Sequence, residues 1–295
     1  MKSTTDGLSY EDGQLELRDG RLLAWRWWGD PDWTPILRLQ GTPGSRLYRH
    51  PDPGIQRSLR VRYLMADRPG YGGSTRQPGR GVVDIADDLA ALLDHHGLES
   101  VPVMGTSGGG PHALAIAATH PERIKAASVV VGASPLEPDE IGRLVGVNAE
   151  GYAAAELGWD ALNDLLVRVR ERVLGDEGLA GVLADAPPED RAIMADPKWE
   201  LIARGNNAEA LRQGSEGWAD ETMALHRDWD FDLASIRPSV TWWHGDSDMN
   251  APLSAAERAA ARLPKVDLRV WHHEGHFASL THEADIVREL LDRSA

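Results

Sequence analysis

A serine set between glycines, in the Gly-Thr-Ser-Gly-Gly stretch of residues 105–109, constrains the fold of this chain more than any other feature. The apolar residues 101–104 precede it and are typical of a buried strand, while residues 111–118 begin with proline and continue in strong helix formers. A strand that passes into a helix through so few residues needs a turn that only glycines tolerate. The stretch therefore predicts that the hydroxyl of Ser107 is exposed above a sheet.

Strand and helix patterns alternate on both sides of a long central region. Near the N-terminus, residues 15–17 and 22–28 have extended patterns on either side of Asp19 and Gly20, which predicts a hairpin. Further strands are predicted at 36–39, 61–66, 101–104, 127–131, 240–243 and 266–271, and helices at 82–93, 111–118, 252–263 and 278–292. This order predicts an α/β fold with a mostly parallel, doubly wound sheet and a ligand site at the carboxyl ends of its strands.

The central region, residues 135–236, has helical patterns only. Polar segments such as residues 185–190 separate its helices. We predict that residues 1–134 and 237–295 form the core domain, and that 135–236 is a helical cap inserted between two late strands and lying over their carboxyl ends. This region carries 22 Asp and Glu against 9 Lys and Arg, which is typical of a solvated helical surface.

Composition narrows the possible partners and compartments. The formal net charge of −15 argues against a nucleic-acid partner, which needs a basic surface. The chain has no cysteine, which excludes disulfides and thiolate chemistry. Residues 1–7 lack the apolar segment of a signal peptide, and no apolar run approaches membrane-spanning length. We expect a cytoplasmic monomer or homodimer without a membrane span.

A base and an acid for the serine follow later strands. A serine hydroxyl becomes a good nucleophile only when a base takes its proton and an acid orients that base. His276 follows the last predicted strand, and Asp248 follows the strand before it, so the chain order is serine, acid, histidine. Rival candidates lie close by, with Asp246 for the acid and His272 and His273 for the base.

Five motifs in this order resemble those of the α/β-hydrolase superfamily, in particular its lidded branch of esterases and iminopeptidases. They are Gly-Thr-Pro-Gly-Ser at 41–45, Asp-Arg-Pro-Gly-Tyr-Gly-x-Ser at 67–74, Gly-x-Ser-x-Gly at 105–109, Gly-x-x-Asp-x-x-x-Pro at 245–252 and Gly-His-Phe at 275–277. The resemblance covers nearly the whole chain. It favours Asp248 over Asp246, because Asp248 stands at the acid's place in the family pattern.

The resemblance implies a role for each matching residue. Ser107 would be the nucleophile, His276 the general base and then the general acid, and Asp248 the carboxylate that fixes the tautomer of the histidine. The backbone N–H groups of Thr42 and Gly108 would form an oxyanion hole for the charge that develops on the attacked carbonyl. No metal or organic cofactor is implied.

Several positions lie outside this pattern. Gln40 stands where most members of the family carry histidine, and we expect its amide to brace the loop that follows. His112, one turn into the helix after Ser107, is predicted to be a packing residue. Of the 11 tryptophans, four lie in the cap region and are candidates to line an apolar pocket. These four are Trp159, Trp199, Trp218 and Trp229.

The leading hypothesis is a hydrolase of class EC 3.1.1 that cleaves a small carboxylic ester or lactone through an acyl-enzyme. An alternative is an aminopeptidase similar to proline iminopeptidases, in which Glu216 or Glu221 holds the free amine of the substrate. The chain lacks the tryptophan that those enzymes carry after the serine. A non-hydrolytic lyase, perhydrolase or cyclase, or a ligand-binding protein on the same fold, are further alternatives.

Overall fold

A sheet of nine strands runs through the described part of the chain, which comprises residues 3–5 and 7–295 of the computed structural model. Residues 1, 2 and 6 of the N-terminal stretch considered above lie outside the described residues. The strands are β1 (Ser3–Thr5), β2 (Leu8–Glu16), β3 (Leu22–Trp28), β4 (Thr34–Leu39), β5 (Val61–Ala66), β6 (Val101–Thr106), β7 (Ile124–Val130), β8 (Ser239–Gly245) and β9 (Val266–Trp271).

The order of the strands in the sheet is β1-β2-β3-β5-β4-β6-β7-β8-β9. Strands β1 to β3 pair antiparallel with their neighbours, and β3 pairs antiparallel with β5. Strands β4 to β9 pair parallel with one another. The predicted N-terminal hairpin and the mostly parallel sheet are therefore confirmed, and the carboxyl ends of β4 to β9 meet at one edge.

Helices pack on both faces of this sheet. In the described part of the chain, the α-helices outside the β7–β8 connection are α1 (Gly54–Leu59), α2 (Ile85–His95), α3 (Gly109–Thr119), α11 (Leu253–Ala260) and α12 (Glu283–Asp292). Helices α2, α3 and α11 bury their apolar side chains in one core cluster, whereas α12 buries Ile286, Val287 and Leu290 in a second cluster. Burying a single aliphatic side chain of this kind stabilises a fold by about 1.5–3 kcal/mol. The two clusters make the sheet doubly wound, as predicted.

The regular structure between β7 and β8 consists of α-helices and one short 3₁₀ helix (Leu233–Ser235). Its α-helices are α4 (Pro138–Ile141), α5 (Gly146–Leu157), α6 (Trp159–Leu174), α7 (Gly178–Val182), α8 (Pro188–Met194), α9 (Pro197–Ala210) and α10 (Glu216–His226). We call residues 138–226 the helical segment. It contacts the loops at the carboxyl edge of the sheet, for example where the hydroxyl of Thr42 donates to Glu221 at 2.8 Å. The boundaries at 135 and 236 and the role as a cap stay predictions.

Two of the differences between the predicted and the observed boundaries involve residues next to the site. The closing helix was predicted from residue 278, but residues His276–Leu280 form a 3₁₀ helix and α12 begins only at Glu283. The polar segment 185–190 was predicted to separate helices, but Asp190 lies in α8 and is buried. The two differences meet at one contact, because Asp190 accepts the backbone N–H groups of His276 and Phe277 at the start of the 3₁₀ helix. Within the described residues, the helices lack the length and apolar character that a membrane crossing requires.

Candidate active site

Ser107 lies on the turn between β6 and α3, as the glycine pattern predicts. Its φ is 53°, in a backbone region that residues other than glycine rarely adopt. A Cβ atom on Gly105 would lie 2.3 Å from the carbonyl oxygen of Gly109, and one on Gly109 would lie 2.2 Å from the carbonyl oxygen of Leu39. The turn therefore has no room for side chains at these two positions, and this crowding is what directs the serine out of the sheet.

Three side chains from separate loops form a continuous hydrogen-bonded chain at the carboxyl edge of the sheet. The Nε2 atom of His276 lies 3.0 Å from Oγ of Ser107, and its Nδ1 atom lies 2.7 Å from Oδ2 of Asp248. The other carboxylate oxygen of Asp248 accepts the backbone N–H groups of Asn250 and Ala251, each at 2.8 Å. The side chain of Asp248 is thus fixed on both oxygens and orients the imidazole toward the serine.

The side chains of Asp248 and His276 shift each other's pKa values. Burial acts to raise the pKa of Asp248, but the neighbouring His276 and the backbone N–H of Ala251 hold it below its ordinary value. Burial acts to lower the pKa of His276, but the carboxylates of Asp248 and Asp190 outweigh it and raise this pKa above its ordinary value. Asp248 therefore stays ionised near neutral pH, and His276 is a stronger base than a free imidazole.

The rival acid Asp246 and the rival base His272 contact each other. Asp246 lies 3.0 Å from Nδ1 of His272 through one carboxylate oxygen and accepts the backbone N–H of His273 at 2.8 Å through the other. The side chain of His272 is 79% exposed. His112 is buried, with its ring nitrogens 3.1 Å from the carbonyl oxygen of Val82 and 3.0 Å from Glu221. Of the candidate bases, His276 is the one whose ring nitrogen lies within hydrogen-bonding distance of Oγ of Ser107.

Thr42 and Gly108 lie side by side next to Ser107. A Cβ atom on Gly108 would lie 2.1 Å from Oγ1 of Thr42, and one on Gly41 would lie 3.4 Å from Cβ of Ser107. Gly108 immediately precedes α3, where backbone N–H groups have no acceptor within the helix. Gln40 is buried, and its Nε2 donates to the carbonyl oxygen of Ala66 at the end of β5 at 2.9 Å.

A buried charge network lies behind the loop of residues 40–42. The guanidinium of Arg68 donates to the carbonyl oxygens of Gln40 and Gly41 at 2.6 and 2.8 Å, and it pairs with both oxygens of Glu221. Arg80 donates to the same carboxylate at 3.1 Å. Burial acts to raise the pKa of Glu221, but the two arginines and His112 hold it well below its ordinary value. Glu221 is therefore a buried anion whose charge is compensated.

Sequence reasoning missed this network and the position of Asp190. Arg68 lies in the glycine-rich 67–74 motif, but its partner Glu221 is 153 residues further along the chain. The carboxylate of Asp190 accepts the backbone N–H groups of His276 at 3.0 Å and Phe277 at 2.8 Å. Both acids come from the helical segment, whose excess of acidic residues indicated a solvated surface. No local pattern distinguishes these two buried carboxylates from their exposed neighbours.

A cavity of about 270 Å³ lies between Ser107, His276 and the helical segment. Its walls are mostly apolar, and its apolar side chains include Val147, Val169, Val182, Met194, Trp199 and Trp218. Two of the four tryptophans considered above are therefore at the cavity. The other two pack elsewhere, since Trp159 donates to Asp220 at 2.8 Å and Trp229 stacks on Phe231.

The acidic side chains that line the cavity are Glu177 and Glu200, and each is paired with an arginine. Glu177 pairs with Arg172 at 2.7 Å, and Glu200 pairs with Arg204 at 2.8 Å. Glu221, one of the two acids considered for an amine site, is buried with 0% side-chain exposure in the network described above. The cavity therefore offers a mostly apolar surface whose lining includes Ser107 and His276.

A doubly wound sheet with a serine on a strand–helix turn and a histidine after the last strand defines the α/β-hydrolase class of proteins. A family model described as alpha/beta hydrolase fold matches residues 34–168. A proline iminopeptidase from Arabidopsis thaliana is 30% identical over an alignment of 317 positions, gaps included. The alignment covers 96% of this chain and 78% of that protein. The chain belongs to the alpha/beta hydrolase family.

Two further similarities illustrate the breadth of this family. The dihydrolipoyllysine-residue acetyltransferase component of an acetoin cleaving system from Pseudomonas putida is 26% identical over 280 residues, or 92% of this chain. The chain spans 66% of the length of that relative. A thermophilic esterase from Thermogutta terrifontis superimposes with a TM-score of 0.66 at 22% identity, covering 96% of this chain and 99% of the esterase. At this identity, the esterase is evidence for the fold alone.

Proposed function

We propose that this protein is a serine hydrolase that cleaves a small carboxylic ester or lactone through an acyl-enzyme. The observation that carries the proposal is the hydrogen-bonded series from Ser107 through His276 to Asp248, of which Ser107 and His276 line a mostly apolar cavity. A base within hydrogen-bonding distance of the serine, itself oriented by a buried carboxylate, is the arrangement that activates a hydroxyl for acyl transfer.

In the proposed mechanism, Oγ of Ser107 attacks the carbonyl carbon while its proton passes to Nε2 of His276. The tetrahedral intermediate collapses when the carbon–oxygen bond to the alcohol breaks, and the alcohol leaves with the proton from His276. Water then attacks the acyl-enzyme, again giving its proton to His276, and the acid is released when Ser107 regains that proton. Asp248 stabilises the imidazolium at both stages, because its carboxylate stays ionised.

The negative charge on the attacked oxygen needs donors that are already in place. We propose the backbone N–H groups of Thr42 and Gly108, which lie next to Ser107. In related chemistry, each such donor contributes about 3–4 kcal/mol of transition-state stabilisation. Arg68 supports this arrangement indirectly, since it holds the carbonyl oxygens of Gln40 and Gly41 in the loop that carries Thr42.

The cavity supports an apolar acyl or alcohol group in the substrate. We propose that the helical segment acts as a cap whose side chains, among them Trp199 and Trp218, form this part of the site. An aminopeptidase would need a free carboxylate for the substrate amine, and the acids that line the cavity are paired with arginines. This pairing favours the ester over the aminopeptidase hypothesis.

Replacement of Ser107 by alanine tests the proposal. We expect Ser107→Ala to lose p-nitrophenyl ester turnover by at least about a thousandfold and to lose labelling by a fluorophosphonate probe. Ser247→Ala, which removes a hydroxyl that donates to its neighbour Asp246 at 3.1 Å, is the matched control and should retain the wild-type rate. Ester turnover that survives in Ser107→Ala would contradict the proposal.

A substrate panel separates the hydrolytic alternatives. We expect turnover of aryl esters or lactones to exceed turnover of proline aryl amides, because the cavity lacks an uncompensated carboxylate among its described residues. The reverse preference would indicate an aminopeptidase. Identification of the free acid and alcohol as products would distinguish hydrolysis from lyase, perhydrolase or cyclase chemistry.

A further inference from the structure

The 3₁₀ helix that carries His276 has an unusual start. It begins directly after Gly275, which has no side chain to accept the first backbone N–H groups. The two groups concerned, the N–H of His276 and the N–H of Phe277, donate instead to the two carboxylate oxygens of Asp190. Asp190 lies in the helical segment, 86 positions earlier in the chain, and it accepts the hydrogen bonds that an N-cap side chain would otherwise accept.

The fit between Asp190 and this turn is close. The carboxylate occupies the place where a side chain on residue 275 would lie, since a Cβ atom on Gly275 would be 2.4 Å from Oδ2 of Asp190. The φ of Gly275 is −100°, so space rather than backbone conformation is what requires glycine here. Asp190 itself is buried, with 0% exposure. The glycine of the Gly-His-Phe motif therefore makes room for the acid of the helical segment.

We propose that Asp190 is a positioning residue for the hydrolysis, in that it holds the backbone of His276 so that the imidazole bridges Ser107 and Asp248. The inference rests on the proposed function of His276 as general base. Because Asp190 belongs to the helical segment, the imidazole of His276 is aligned with Ser107 only when that segment packs against the carboxyl edge of the sheet. The segment would then contribute to the reaction centre itself and not only to the walls of the cavity.

Asp190 also contributes charge. The titratable groups that act on His276 are Asp248 from the β8–α11 loop, Asp190 from α8 and His244 from β8. Burial lowers the pKa of His244, so the two carboxylates dominate, and both raise the pKa of His276. The groups that act on Asp190 are His276 and Asp248, and burial raises its pKa. Removal of the Asp190 charge should therefore lower the pKa of His276.

The sign of the pH effect follows from the role of His276. A general base must be unprotonated, so kcat/KM falls as the pH drops through the pKa of His276 in the free enzyme. In Asp190→Asn this acid limb should move to lower pH, while the plateau of kcat/KM falls roughly tenfold to a hundredfold because the imidazole is less well aligned. A merely structural role for Asp190 would lower the yield of folded protein and leave the acid limb in place.

The experiment measures pH profiles of ester turnover and of fluorophosphonate labelling for wild type, Asp190→Asn and Glu189→Gln. Glu189→Gln removes the same charge from the same helix at an exposed position, and both of its profiles should match wild type. An Asp190→Asn enzyme that is folded by circular dichroism and has both the wild-type plateau and the wild-type acid limb would overturn the inference.

Gly275→Ala tests the same contact from the other side, and it does so even where Asp190→Asn fails to fold. The added methyl group displaces the carboxylate without removing its charge. We expect a plateau reduced about tenfold or more, with an acid limb closer to that of wild type than in Asp190→Asn. Labelling of Gly275→Ala at the wild-type rate would overturn the inference. Failure of wild-type labelling, or its survival in Ser107→Ala, would instead contradict the proposed function.

Discussion

Two buried pairs of a carboxylate and a histidine lie near Ser107, and they differ in what surrounds them. In the first, Glu221 lies 3.0 Å from Nε2 of His112, and both side chains have 0% exposure. In the second, Asp248 lies 2.7 Å from Nδ1 of His276, whose side chain is 11% exposed and lines the cavity. Both pairs join a carboxylate to an imidazole, but the pKa of His112 is lowered and the pKa of His276 is raised.

The two carboxylates differ in their neighbours, because arginines surround only the first. Glu221 also pairs with Arg68 and Arg80, so its negative charge is shared between these arginines and His112. Burial is the main cause that lowers the pKa of His112; Glu221 acts to raise this pKa, and the two arginines act with burial to hold it below its ordinary value. Asp248 has backbone N–H groups and histidines as its neighbours, and its charge is left to raise the pKa of His276. Glu221 is therefore part of a compensated network behind the loop of residues 40–42, whereas the carboxylate of Asp248 raises the pKa of His276.

The largest effect should come from neutralising the carboxylate of the second pair. We expect Asp248→Asn to lower kcat for ester hydrolysis by about 10⁴-fold, because an amide no longer fixes the productive tautomer of His276 or stabilises its protonated form. Asp246→Asn, two residues away and bonded to His272, is the control and should keep the wild-type kcat. An equal loss in the two variants would mean that the assignment of the acid is wrong.

Neutralising the carboxylate of the first pair should act mainly on stability. Glu221→Gln leaves two buried guanidinium groups without their counter-charge, and we expect the free energy of unfolding to fall by about 3–5 kcal/mol. Urea titration of the purified protein measures this value. Asp228→Asn, at an exposed position of the same region, should change it by less than about 0.5 kcal/mol. Similar values for both variants would show that the network contributes little to folding.

The two pairs also differ in how far the sequence predicts them. Ser107, Asp248 and His276 each follow a predicted strand, and the carboxyl ends of parallel strands meet at one edge of a sheet, so local patterns suffice to bring them together. Glu221 and Asp190 act across 153 and 86 residues on Arg68 and His276. In the sequence, the helices of Glu221 and Asp190 resemble exposed acidic helices. Helical periodicity does not predict which charged position faces a buried arginine or a free backbone N–H.

The smallest effect should come from the histidine of the first pair. His112→Gln keeps a donor toward Glu221, so we expect a loss of about 1–2 kcal/mol in the free energy of unfolding and unchanged fluorophosphonate labelling. The same substitution in the second pair, His276→Gln, should abolish labelling because a glutamine cannot take the proton of Ser107. The measurement is the labelling rate of both variants under identical conditions. Loss of labelling in folded His112→Gln would mean that the first pair also takes part in activating Ser107, and the distinction drawn from the arginines would then fail.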